Sequence, residues 1–141
     1  MHESASIETG DLIEPLRRMG LLSPGEPARL TPLTGGVSSD ISLVEARGRR
    51  FCVKRALPRL KVATLWEAPV ERNAAEAAYM RAVAGWAPHA VPRVLGEDAK
   101  AGWFAMDYLA PEDYPLWKAQ LLAGIVEVDF AVAVGRELLR R

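Results

Sequence analysis

Cysteine is nearly absent from this chain of 141 residues. The single thiol, Cys52, has no partner for an internal disulfide, which excludes a disulfide scaffold and makes a reducing cytoplasm the expected setting. Histidine is scarce as well: only His2 and His89 occur. His89 has no second ligand candidate at a suitable spacing, so no metal site is expected there. Long apolar runs are missing. The longest are a few residues, such as Trp103–Phe104–Ala105–Met106, so no membrane-spanning helix is expected. The first twenty residues carry Glu3, Glu8, Asp11 and Glu14, with no cationic start leading into an apolar stretch. That argues against a secretory signal. Excess charge of one sign is absent too: 18 Lys and Arg balance 18 Asp and Glu, which argues against general attraction to nucleic acid or anionic lipid.

Half of the residues are hydrophobic and 26% are charged, a composition that folds rather than stays disordered. The length suits one domain, or one and a fragment, of roughly 100–150 residues each. A chain of this size buries about two-thirds of its unfolded surface and needs no staple. The charge is unevenly spread. Arg47, Arg49, Arg50, Lys54, Arg55, Arg59 and Lys61 follow one another with no acid among them. Such a run is either a solvated hairpin and loop or a local positive field that receives phosphate.

Asp11 and Glu14 stand where a reciprocal helix cap would, Leu12, Leu16 and Met19 recur at helical spacing, and Gly20 is a stop signal. Residues 28–33, 41–46 and 51–54 read as strands, with Arg47-Gly48-Arg49 closing a hairpin. Residues 70–86 are rich in Ala, Glu, Met and Arg and read as a helix led by Pro69. Two strands, 93–97 and 102–109, follow around an Asp98–Ala101 turn. Residues 116–122 and 126–141 read as helices. The pattern predicts an α+β fold, a mostly antiparallel five-stranded sheet covered on one face by one packed helix, with an N-terminal helix before it and C-terminal helices after it. The expected organisation is an N-terminal helix and connector over 1–27, the sheet-bearing lobe over 28–110, and helices over 111–141 that begin a second lobe.

Three features fall in a meaningful order. Thr34-Gly35-Gly36-Val37-Ser38-Ser39-Asp40 joins two strands; paired glycines let backbone N–H groups approach an oxyanion, and the hydroxyls add donors. An ordinary Gly-Gly hairpin fits those residues equally well. Lys54 then sits in Phe51-Cys52-Val53-Lys54, where alternation puts Phe51 and Val53 on one face and Cys52 and Lys54 on the other. A strand lysine of this kind is ordinarily solvated, unless a phosphate gives its point charge a partner. Last comes an acid on the following helix. Glu76 shares a face with Tyr79, Met80 and Val83, and Glu71 with Ala75, Ala78 and Ala82. The larger apolar residues favour Glu76 as the core-facing acid, although an exposed Arg72–Glu76 pair would also satisfy it.

Strand, Gly-rich turn, strand, strand lysine and helix glutamate compose the phosphate-handling half of a protein-kinase-like fold. The stretch 33–109 resembles the N-terminal lobe of the aminoglycoside phosphotransferase and choline kinase superfamily, with methylthioribose kinases the nearest likeness. The run Val53-Lys54-Arg55-Ala56-Leu57-Pro58-Arg59-Leu60-Lys61-Val62 carries it, followed in order by Glu71-Arg72-Asn73, Glu76-Ala77, Ala87-Pro88-His89, Val91-Pro92-Arg93-Val94 and Met106-Asp107-Tyr108-Leu109. The resemblance implies that ATP is bound. Lys54 would contact its α- and β-phosphates and Glu76 would hold Lys54. Gly35, Gly36, Val37, Ser38 and Ser39 would cover the phosphates. At the hinge, the Asp107 carbonyl and the Leu109 N–H would meet the adenine edge, with Met106 and Tyr108 as lining. Ser39 departs from the Asn found there in many members, and the glycine loop fits the wider superfamily better than the methylthioribose kinases.

Phosphoryl transfer also needs an acceptor-side carboxylate and acids for Mg²⁺. In this superfamily a His-Gly-Asp-type loop and a later Asp supply them, in the second lobe. Neither His2 nor His89 begins such a loop, and Asp129-Phe130-Ala131, which resembles a metal-binding triplet superficially, lies in a helical pattern. The expectation is therefore the N-terminal portion of a longer cytoplasmic small-molecule kinase, inactive alone, whose acceptor is a sugar, amino alcohol or aminoglycoside. The resemblance permits a homodimer. A non-catalytic, pseudokinase-like or interaction module is the alternative. Nucleic-acid binding through 47–61 is disfavoured, because the segment lacks interleaved aromatics and a reading motif.

Overall fold

The computed structural model describes residues 9–33, 39–56 and 71–140. Helix α1 spans Thr9–Arg18, and three strands follow: β1 (Arg29–Pro32), β2 (Ser39–Ala46) and β3 (Arg49–Ala56). Helix α2 (Arg72–Ala84) and a single 3-10 turn (Pro88–Ala90) precede β4 (Val94–Asp98) and β5 (Trp103–Asp107). Helices α3 (Trp117–Leu122) and α4 (Val128–Leu138) close the chain. The sheet is five-stranded in the order β1-β2-β3-β5-β4, and every pairing is antiparallel. The fold is α+β.

The chain divides into two compact units, Met1–Tyr108 and Leu109–Arg141. The first unit includes α1 and the connector after it. Leu12, Leu16 and Leu22 sit in one buried cluster with Val44, Phe51, Val53, Trp103 and Ala105. Full burial of a leucine is worth about 1.5–3 kcal/mol, so α1 is a structural element of the sheet lobe. α1 starts before the position where the sequence pattern places its cap. Asp11 lies in its first turn, and Glu14 accepts from Arg17 at 2.7 Å instead of closing a cap.

Strand register sorts the sheet into two faces. Val53 pairs with Ser42 and Ala105, and Phe51 with Val44 and Asp107; this face takes α1. Lys54 pairs with Ile41 and Phe104, and Cys52 with Leu43 and Met106; this face takes α2, which lies against β3, β4 and β5. The expectation of a sheet covered on one face, by one packed helix, is corrected: α1 and α2 cover opposite faces. Cys52 is buried, and burial pushes its thiol up to about 11, so it stays a protonated packing residue.

The turns are chemically explicit. Gly20 and Gly102 have φ of 73° and 74°, and the β2–β3 turn places Arg47 and Gly48 at 46° and 72°. Two consecutive left-handed residues match the twist of a tight hairpin. In the second unit, Trp117 and Phe130 meet edge to face with ring centroids 5.2 Å apart. The expected apolar stripe of α4 is largely solvent-exposed: Val128, Val132 and Leu139 are all open. No helix among the described residues is long and apolar enough to cross a membrane.

Asp98 ties α1 to the end of β4. It is buried, and its carboxylate accepts from Arg18 Nε at 2.7 Å and from the Ala101 N–H at 3.1 Å. Burial alone would raise its pKa, but the Arg18 hydrogen bond and charge and the turn N–H groups outweigh that and hold it below its ordinary 3.8. A depressed folded-state pKa contributes stability above the ordinary value that disappears as pH falls through the folded value. Acidification from about pH 5 to about pH 2 should therefore cost the wild type more stability than it costs Asp98→Asn. Urea unfolding of both proteins across that range measures the difference.

Candidate functional site

β3 carries Lys54 outward from the α2 face of the sheet, flanked by the buried Phe104 and Cys52. An ammonium in such surroundings requires a charged partner. Glu76 supplies one: Lys54 Nζ donates to both carboxylate oxygens, at 2.6 and 2.7 Å. The pair is partly shielded, with the lysine side chain 17% exposed and the glutamate 35%. At that exposure its stabilising value is about 1 kcal/mol or less. What the contact fixes is the position of the ammonium.

Helix α2 delivers Glu76 for identifiable reasons. Its interior is rich in alanine, the best helix former. Ala77, fully buried, has no bulk to hold the helix away from the sheet. Asn73, one turn before Glu76, is 4% exposed, and its Nδ2 donates to the backbone carbonyls of Lys54 at 3.2 Å and Gly102 at 2.9 Å. This side chain bolts α2 to β3 at the lysine itself and to the β4–β5 turn. The buried side of α2 is therefore Asn73, Ala77 and Val83, with Met80 half-buried. Tyr79, expected on that side, is 65% exposed. Glu71 is exposed, and the Glu76 carboxylate goes to Lys54.

The remaining expected residues divide. Gly35, Gly36, Val37 and Ser38 lie outside the described residues, as do Arg59, Lys61 and Pro69. Ser39 is the first residue of β2. Met106 faces the same side of the sheet as Lys54, opposite Cys52. Asp107 ends β5; its N–H donates to the Arg93 carbonyl at 3.0 Å, and its carboxylate accepts from the Arg93 N–H at 3.3 Å. Tyr108 lies under the guanidinium of Arg50, 5.4 Å from the ring centroid. Leu109 opens the second unit. Asp129 lies in the first turn of α4, as its helical setting requires. No three His, Cys, Asp or Glu side chains gather as a metal site among the described residues.

The sequence marks Asn73 only through its place in Glu71-Arg72-Asn73. Its partners are backbone carbonyls 19 and 29 positions away, which no local pattern reveals. A cleft of about 590 Å³ opens beside it, lined by Arg55, Glu71, Glu97 and Trp103 among others, and does not include Lys54.

No family model and no curated protein matches this chain.

Replacing Asn73 by Ala should cost about 2 kcal/mol, because two buried or half-buried carbonyls lose their shared donor. Asn73→Asp should cost more, since a carboxylate would face the same two carbonyl oxygens. Denaturant unfolding monitored by tryptophan fluorescence checks both values.

Proposed function

We propose that this chain is the nucleotide-binding lobe of a protein-kinase-like small-molecule kinase. In that reading the γ-phosphoryl of ATP passes to a hydroxyl of a sugar, amino alcohol or aminoglycoside, a methylthioribose-like sugar being the specific candidate. The observation that carries it is the ammonium of Lys54 gripped by both oxygens of Glu76, on the α2 face of a five-stranded antiparallel sheet. A strand lysine held by a carboxylate from a helix is placed as a fixed point charge, the form in which lysine binds phosphate.

In this reading Lys54 contacts the α- and β-phosphates of ATP, and Glu76 is the positioning residue that keeps its ammonium in place. The Gly35–Ser39 turn covers the phosphates. Asp107 and Leu109 hold the adenine edge through their backbone, lined by Met106 and Tyr108. Electrostatic stabilisation of the transferring group needs acids on the acceptor side as well. The sequence contains no His-Gly-Asp-type loop, so the reading assigns Mg²⁺ to no residue of this chain and expects no turnover from it alone. A cytoplasmic location and a homodimer belong to the same proposal.

One observation favours a second reading, a non-catalytic pseudokinase-like or interaction module. Leu116, Leu122, Val128 and Leu138 in the second unit are all more than two-thirds exposed, a density of open apolar side chains typical of contact surfaces.

Titration with ATP distinguishes the readings. The wild type should bind ATP. Lys54→Ala should weaken binding about tenfold or more, the loss of one charge-assisted contact to phosphate, and Glu76→Gln should weaken it by less. ATP affinity indifferent to Lys54→Ala would remove the nucleotide-lobe assignment and leave the interaction module. Phosphoryl transfer by the chain alone would contradict the expected inactivity.

A further inference from the structure

At the opposite end of β3 from Lys54, the β2–β3 hairpin borders an arginine-rich cleft. It encloses about 380 Å³ and is lined by Arg29, Arg47, Arg49 and Arg50, with Glu45 and the hairpin glycine, Gly48. These residues come from three adjacent strands. The register sets Arg29 opposite Glu45 and Glu45 opposite Arg50, while Arg47 and Arg49 flank the turn.

The arginines are held, not merely crowded. Glu26 is a buried carboxylate whose side chain is 3% exposed; it meets Arg47 Nε at 3.1 Å and Arg49 Nη2 at 3.7 Å, and accepts the Ser23 N–H at 3.1 Å. Arg49 also donates to the Leu21 carbonyl at 2.9 Å. Arg50 rests over the Tyr108 ring, and Arg29 contacts Glu45 only at 3.8 Å. The Glu26 contact uses Arg47 Nε, so its two terminal nitrogens keep N–H groups for another acceptor. Arg47 itself holds a φ of 46°, a conformation disfavoured for a residue with a side chain, at a position where Asn or Gly is the usual choice.

Glu45 is the one acid among the residues lining the cleft, against four arginines, two of which, Arg47 and Arg49, also reach the buried Glu26. Two positive charges remain uncompensated, and guanidinium stays charged at any physiological pH. Like charges held close together are relieved by a dianion, and planar guanidinium forks match the oxygens of a phosphate group. A phosphate monoester carries about −1.5 to −2 charges near pH 7, the complement of this cleft. We propose that the β2–β3 hairpin cleft is a binding site for a phosphate monoester dianion, either free in solution or carried on a phosphorylated polypeptide. It is separate from the Lys54 site: Arg50 precedes Lys54 by four strand residues, about 13 Å along β3. The sites share one contact, Arg50 over Tyr108, so Lys54→Ala is the variant that separates the two assignments.

The test measures binding of a phosphoserine peptide and its unphosphorylated twin by fluorescence anisotropy at about 0.15 M salt, with inorganic phosphate as competitor. The phosphoserine peptide should bind and its twin should not. Arg29→Gln/Arg50→Gln, two exposed replacements, should weaken binding about tenfold or more, while Lys54→Ala leaves it unchanged. Displacement by phosphate at concentrations comparable to the peptide assigns the site to free phosphate compounds, and resistance to phosphate assigns it to a phosphorylated chain. In the wild type, the amide resonances of Arg47 and Gly48 should shift on addition of phosphate. Equal binding of both peptides, indifference to the double replacement, loss of binding in Lys54→Ala, or unmoved hairpin amides would each overturn the proposal.

Discussion

A lysine on the inner part of a sheet, between buried neighbours, needs a carboxylate, and that requirement organises the first unit. Lys54 stands beside the buried Phe104 and Cys52 on this face, and Glu76 takes its ammonium with both oxygens. For Glu76 to reach, α2 must lie close to the sheet and at one rotation about its axis. Ala77 allows the close approach, and Asn73 fixes the rotation by binding the carbonyl of Lys54 itself. The ion pair and the amide clamp thus act on the same two elements from both the side chain and the backbone of one residue.

The second face of the sheet has a different task. Leu12 and Leu16 from α1 close over Val44, Phe51, Val53 and Ala105, and the Arg18–Asp98 bond ties the helix end to β4. This face is apolar and supplies cohesion, which leaves the other face free to carry charge. β3 serves both: Phe51 and Val53 enter the core, and the alternate residues carry Arg50 at one end and Lys54 near the other. The sharply uneven charge between Arg47 and Arg55 is a property of one strand and its turn.

Much of this was legible in the sequence because it follows from local rules. Alternation placed Phe51 and Val53 opposite Cys52 and Lys54, and the structure keeps that division. Gly20, Gly48 and Gly102 mark turns that need positive φ. Other features were not legible. α2 is so rich in alanine that its apolar periodicity is weak; Tyr79 pointed to the wrong centre for the buried stripe, although Glu76 was still the better acid. Asp11 and Glu14 carry a capping pattern, yet α1 begins earlier, so one lies inside the first turn and the other pairs with Arg17. Asn73, Glu26 and Asp98 are polar residues buried by partners distant in sequence or by backbone groups. Their roles depend on tertiary contacts that periodicity does not encode.

On the proposed reading, Lys54 is a positioned charge that receives a phosphate chain. Nitrogen-15 NMR of the lysine side chains, with Lys54 assigned by its loss in Lys54→Ala, tests this most directly. The Lys54 ammonium resonance should shift on addition of ATP and stay in place on addition of adenosine, which has no phosphates. A Lys54 resonance unmoved by ATP, or moved equally by adenosine, would contradict it.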